Sequence, residues 1–377
     1  MRISLILFLF WIYLSNGEIT KDIEKCIYSP LSMFFHKPSN PPYYYVNFKR
    51  PQSFWNVFQT EIVIGDSDDY QSTKLIGEGI AAQVYKGFHK ETKSPIVLKN
   101  MKQQPEKILK EIKILQELKD APNFLPLKDI YVNYQRQESL TLVFDYFPHT
   151  PIQQILPILT KRHIKQYGYK LLKTLDYIHS RGIIHRDIKP LNILLNEKNF
   201  ELRVIDVGQG EFFLPGKDNT VRIGSLFYKA PELLLNMTRH DYSVDIWSVG
   251  VMLAEMMFQK FHFFTANKVY QKQNNVSVAQ VKEMQFREQL DAIAQIMGTV
   301  PLLQYTDKFK DTMNLDILQY VGQYKKVRFK AFVNENNRHL MDPLGIDLLE
   351  KMIVYDHTKR LTAKEAMNHV YFDDVRN

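Results

Sequence analysis

The chain has 377 residues, 45% of them hydrophobic and 24% charged, which is an ordinary globular composition with enough length for two lobes and a sizeable core. The formal net charge of +8 comes from Lys and Arg spread along the whole chain, with no long single-sign block, so nucleic acid is not expected as a partner. A single cysteine, Cys26, excludes an intramolecular disulfide and any multi-cysteine zinc site.

The N-terminus reads "MRISLILFLFWIYLSNG": Arg2, then an apolar and aromatic run, then Ser15 and Gly17 at small-residue spacing. This three-part layout predicts a secretory signal peptide over residues 1–17. The run is shorter than the roughly 20 residues of a membrane span, so no spanning segment is expected. The layout directs the protein to the secretory pathway or outside the cell; without a functional signal it stays in the cytoplasm or nucleus. Two glycosylation sequons, at Asn236 and Asn275, are compatible with the secretory route.

Residues 18–69 are aromatic and proline-containing, with no helix or strand period around "PPYYYVNFKRPQSFW". They are expected to form an extended arm lying on a folded domain. From Tyr70 to Phe147 short β-type runs dominate: "TKLIG", "QVYKGFH", "PIVLKNM" and "LTLVFDYF". One amphipathic helix interrupts them, with Ile108, Ile112, Leu115 and Leu118 at steps of four and three. Beyond residue 148 the chain is mainly helical. "HIKQYGYKLLKTLDYIHS" places Ile164, Tyr167, Leu171, Leu175 and Ile178 on one stripe. "SVDIWSVGVMLAEMMF" is apolar nearly all round and predicts a central buried helix. "NKVYQKQNNVSVAQ" reads as a polar surface insertion, and Thr362 with Glu365 forms a capping box. The expected fold is α+β: a small, mostly β lobe over 70–147, a larger, mostly α lobe over 148–372, and a short tail at 373–377.

The chemistry falls at matching places. In "IGEGIAAQV", Gly77 and Gly79 let backbone N–H groups approach phosphates, and Val84 offers an apolar wall for a base; Ala82 stands where a third glycine is usual. Lys99 ends an apolar β run and must be paired or snorkel. Glu111, twelve residues on, lies on the amphipathic helix and can reach it, fixing the ammonium for the α- and β-phosphates of a nucleotide. "IIHRDIKPLNILL" sets Arg186, Asp187, Lys189 and Asn192 between greasy ends. Burying unpaired charge there costs several kcal/mol, so the cluster predicts mutual pairing, a metal or a ligand. "VIDVG" follows, with Asp206 leaving an apolar strand. Asp206 and Asn192 supply the oxygen ligands that Mg²⁺ prefers, Asp187 faces the acceptor hydroxyl, and Lys189 neutralises the transferring phosphoryl group. Together with "APE" at 230–232 and "DIWSVG" at 245–250, these elements match in order the signature set of protein kinases.

The chain resembles, more narrowly, the catalytic (alpha) subunit family of casein kinase II over residues 43–373. The resemblance rests on "RPQSFWNVFQTEIVIGDSDDYQ", "KEIKIL", "LDYIHSRGIIHRDIKP", "LRVIDVG", "FVNENNRHL" and "YDHTKRLTAKEAMNHVYF". It implies a bilobal protein serine/threonine kinase that uses ATP or GTP with Mg²⁺, acts on acidic protein substrates and binds a beta-type regulatory subunit. It implies an arm that keeps the activation segment active without phosphorylation. It also implies that Ile76, Phe144 and Asp145 border the nucleotide, that Arg222 and Lys229 read acidic substrates, that Glu232 pairs with Arg360, and that Asp245 anchors the catalytic loop. The chain departs from the family at Val207, where tryptophan is usual, at Leu226, where a basic residue is usual, and at Ser72, where an apolar residue meets the beta subunit. Its lysine run before the amphipathic helix is thinned to Lys102, Lys107 and Lys110. A kinase-fold scaffold without catalysis is the alternative; inactive relatives lose Lys99, Asp187 or Asp206, and all three are present.

Overall fold

Short runs with β-branched and aromatic residues build a five-stranded antiparallel sheet in the order β1-β2-β3-β5-β4. The strands are β1 (Tyr70–Glu78), β2 (Ala82–His89), β3 (Pro95–Met101), β4 (Asp129–Asn133) and β5 (Ser139–Asp145). The computed structural model describes residues 42–133, 139–265 and 278–376. Helix α1 (Pro105–Glu117) lies between β3 and β4, opened by Pro105 in its first turn and burying Ile108, Ile112 and Leu115 as their spacing predicts. Strand β4 has no expectation behind it: Ile130, Tyr131 and Val132 are consecutive, all buried, and so give no alternation. The second face of the sheet has its own small core of Tyr70, Ile96, Leu98, Tyr131 and Val143, with the rings of Tyr70 and Tyr131 stacked at 5.4 Å.

The larger lobe is helical. After α2 (Ile152–Ile155) comes α3 (Lys161–Ser180), whose first turn is capped by the Thr160 hydroxyl accepting the His163 N–H at 3.2 Å. Its buried stripe is the expected one, from Ile164 to Ile178. Two small ladders follow: β6 (Ile183–Ile184) pairs with β9 (Glu211–Phe212), and β7 (Ile193–Leu195) pairs with β8 (Leu202–Val204). Then come α4 (Pro231–Leu234) and α5 (Ser243–Phe258), and every residue of α5 from Val244 to Phe258 is buried, so it runs through the centre of the lobe. Helices α6 (Val278–Met297), α7 (Thr299–Lys308), α8 (Pro343–Met352) and α9 (Ala363–Met367) complete it. The capping box at Thr362 and Glu365 is present in both directions. Among the described residues no helix is long and apolar enough to cross a membrane.

The arm is turned rather than extended. From Asn47 to Asp69 it makes four short 3-10 turns, because Pro51, Asn56 and Asp66 stop or cap each one. It ties both lobes together. Asn47, 1% exposed, donates its side-chain amide to the Gly182 carbonyl at 2.7 Å and the Phe213 carbonyl at 2.8 Å. Gly182 must be glycine for this: its φ is +74°, and a Cβ would stand 2.2 Å from the Asn47 Oδ1. Arg50 donates to the Arg181 carbonyl at 2.8 Å, and the rings of Tyr44 and Phe54 meet Phe213 and Phe212 edge-on. Further along, Gln116 on α1 donates to the Glu61 carbonyl, and the Gly65 N–H donates to Ile130 of β4. The expected signal peptide, residues 18–41 of the arm with Cys26, and most of the polar insertion with Asn275 lie outside the described residues.

Candidate active site

Register places the first residues of the site. Gly77 pairs with Val84, and Val84 pairs with Lys99, so the three form one row across β1, β2 and β3. Residues opposite one another share a face, so Val84 and Lys99 project to the same side of the sheet. Leu142 of β5 continues the row, and Phe144, two residues on, shares its face and is half-buried. Ile76 falls at a register shift between Leu75 and Gly77 and is 48% exposed. Asp145 points to the opposite side by alternation, and its carboxylate accepts from Lys128 at 2.5 Å. The Gly79 N–H donates to the Ala82 carbonyl at 2.9 Å, which closes the glycine loop on itself here, while the space around Gly79 is open.

Lys99 reaches across the cleft. Its ammonium donates to Glu111 on α1 at 2.6 Å and to Asp206 at 2.9 Å. Burial alone would disfavour the charged lysine, but the two carboxylates outweigh it and raise its pKa. Burial would likewise raise the pKa of Asp206, and Lys99 with the Gly208 N–H overrides that and holds it below the usual carboxylate range. Asp206 leaves the β8 strand in a left-handed turn, at φ 63°, which swings its side chain toward Lys99. Val207 is buried beside it, 1% exposed, and fills core space.

The catalytic-loop charges are all partnered. Asp187 is 7% exposed. Its Oδ2 accepts from Lys189 at 2.7 Å and from the Asn192 amide at 3.1 Å, and Asn192 also donates to the Asp187 carbonyl at 2.8 Å. Because the Asn192 NH₂ is spent on Asp187, its oxygen remains as the free end of the amide. Ile183, Ile184, Ile188 and Leu195 are buried around this cluster, and Leu191 within it is 75% exposed. Arg186 sits at φ 66°, a backbone state that costs about 1–3 kcal/mol. Asp245 of α5 stabilises it by accepting the His185 and Arg186 amides at 2.9 and 2.8 Å, with His179 at 2.9 Å as a third donor. Glu232 and Arg360, 0% exposed in their side chains, form a two-pronged pair at 2.6 and 2.7 Å.

The segment between Asp206 and Glu232 holds three features that sequence patterns do not signal. Ser225 donates its hydroxyl to Asp187 Oδ1 at 3.0 Å; the approach needs Gly224 at φ +70°, where a Cβ would stand 2.7 Å from the Arg186 carbonyl. Glu211 gathers three cations: Lys110 of α1 at 2.9 Å, Arg186 at 3.3 Å and Lys217 at 3.5 Å. Burial would raise its pKa, and these cations hold it down instead. Lys229, expected beside Arg222 as a cation facing the substrate, is instead 4% exposed. Its ammonium is committed to the carbonyls of Val221 and Ile223, and burial pushes its pKa down to about 8. Arg222 alone of the two is exposed.

Comparison with known families gives a concordant result: the family model of the protein kinase domain matches residues 70–372. The chain therefore belongs to the protein kinase family. As a protein kinase it is a phosphotransferase that uses ATP and a divalent metal and acts on protein substrates.

Proposed function

We propose that the protein is a serine/threonine kinase of the casein kinase II alpha type, active without phosphorylation of its activation segment. The observation that carries the catalytic reading is Lys99, bound at once to Glu111 and Asp206. An ammonium so fixed at the cleft can hold nucleotide phosphates. Asp206 and the free oxygen of Asn192 are hard oxygen donors of the kind Mg²⁺ prefers, and they would hold the ion. The metal, when bound, neutralises charge on the phosphates of the nucleotide. Asp187 takes the proton of the acceptor hydroxyl. Ser225, Lys189 and Asn192 hold its two oxygens in place, and Lys189 offsets charge developing on the transferred group. A beta-type subunit would meet Ser72 on the exposed strand β1, a polar contact where the family has an apolar one.

Thermal denaturation with and without Mg·ATP tests this. Wild-type protein should gain about 2.7 kcal/mol at a ligand level of 100 times Kd. Asp206→Asn should lose most of that gain while melting normally without ligand. A variant stabilised as much as wild type shows that Asp206 holds no metal. Nucleotide binding without phosphoryl transfer to any protein or peptide would support the scaffold alternative.

The regulatory reading rests on Glu211 and Asn47. Kinase activation segments are commonly ordered by a phosphate paired with arginine. Here the Glu211 carboxylate already joins Arg186 to α1, and Asn47 ties the segment at Phe213 to Gly182. Protein free of phosphate should therefore be active, and deletion of residues 18–56 should cripple it. Asn47→Ala takes the donor from the buried Phe213 carbonyl, at about 1–3 kcal/mol, while the Gly182 carbonyl keeps the Phe213 N–H at 2.8 Å, and should lower both melting temperature and turnover. Activity that appears only after treatment with a second kinase overturns this reading.

A further inference from the structure

The acceptor hydroxyl must approach Asp187, so the residues around that carboxylate decide what can flank the acceptor. On one side lies Leu191, 75% exposed, between Lys189 and Asn192, whose side chains both bond Asp187. On the other lies Ser225, bonded to Asp187 at 3.0 Å, followed directly by half-buried Leu226 and Phe227. The Phe227 ring stacks on His262 at 3.8 Å, and Phe261, 43% exposed, packs against His262 at 4.1 Å. Burial lowers the pKa of His262, so this ring is neutral at physiological pH. The cation that would favour an acidic neighbour is withdrawn, because the Lys229 ammonium is held by the Val221 and Ile223 carbonyls and lies 5.0 Å from the Phe286 ring.

We propose that Leu191 and the shelf formed by Leu226, Phe227 and His262 make this kinase select substrates with apolar or aromatic residues next to the phosphoacceptor. The proposal rests on the kinase reading above and replaces acidic selection at the flanking positions. A substrate carboxylate set against Leu226 and Phe227 loses water and gains no partner, whereas an apolar side chain there removes its own surface and theirs from water. Exposed Arg222 leaves room for acidic residues further along the peptide.

The test is a positional peptide library around a central serine, phosphorylated by the full chain at low and at 0.5 M salt. Apolar flanking residues should exceed Asp or Glu by about tenfold in kcat/KM, the order expected for an apolar pocket. The preference should survive salt, because screening erodes only electrostatic selection. Leu226→Arg should reverse the order toward acidic residues, and the rise in melting temperature with Mg·ATP checks that this variant is folded. An acidic flanking preference that falls with salt overturns the proposal and leaves the kinase reading intact. An apolar preference unchanged in Leu226→Arg removes Leu226 from the shelf and overturns the assignment. A folded protein that binds Mg·ATP yet phosphorylates no peptide overturns the kinase reading itself.

Discussion

Asp187→Asn is expected to lower kcat by about 10²- to 10⁴-fold, the range typical of a lost general base. The amide has nearly the volume of the carboxylate and keeps one acceptor oxygen, so the local packing survives. What it lacks is a site for the proton of the acceptor hydroxyl, and the negative charge that Lys189 and Asn192 now surround at 2.7 and 3.1 Å. The side-chain bonds of Asp187 go to Lys189, Asn192 and Ser225, whereas Lys99 and Asp206, the residues proposed to hold the nucleotide and metal, bond each other. The Mg·ATP-induced rise in melting temperature should therefore persist in the variant while turnover falls. Steady-state kinetics on protein free of contaminating kinase decides it. Retention of most wild-type turnover removes Asp187 from the role.

Arg360→Ala should be the most destabilising of these substitutions, by about 3–5 kcal/mol, the cost of leaving one member of a buried pair alone. The guanidinium is fully buried and saturated: it meets both oxygens of Glu232 and the carbonyls of Val354, Tyr355 and Ser243. Burial would raise the Glu232 pKa, and Arg360 is the largest influence holding it down. Without it, a carboxylate at 0% exposure loses its ion-pair partner, and the carbonyls of Val354, Tyr355 and Ser243 lose a donor. The pair joins α4, at the end of the activation segment, to the loop before α9, so the loss should also loosen the substrate side of the cleft. Urea titration of wild type, Arg360→Ala and the double variant Glu232→Leu with Arg360→Met measures it. The double variant should recover part of the loss, because it buries no unpaired charge. A cost below about 1 kcal/mol for Arg360→Ala contradicts a buried, uncompensated carboxylate.

Much of this molecule is legible in its sequence, and the reason is local. Helix α3 announces itself because Ile164, Tyr167, Leu171, Leu175 and Ile178 repeat at the helical period, and α5 because nearly every residue is apolar. The capping box needs only Thr362 and Glu365, three residues apart. The charged cluster was recoverable for a different reason. Lys99, Glu111, Asp187, Asn192 and Asp206 keep a fixed order and spacing within strands, helix and loops of the right kind, although the contacts between them span up to 107 residues. What the sequence alone determined is thus the fold class, the long elements and the identity of the charged cluster.

Only the tertiary structure decided how those charges are used. Lys229 and Arg222 read alike as cations near the substrate, yet one is tied to backbone carbonyls and the other is exposed. Carbonyl oxygens are present at every residue, so a bond to one leaves no trace in the residue pattern. Ser225 carries no pattern of its own, yet the fold sets its hydroxyl on Asp187, 38 residues earlier. Glu211 gains its role from three cations on separate segments, and Asn47 from two carbonyls 135 and 166 residues away. In each case the deciding quantity is which groups lose water together, and that is settled by packing: between distant segments for Ser225, Glu211 and Asn47, and within the folded activation segment for Lys229, whose carbonyl partners lie 8 and 6 residues earlier.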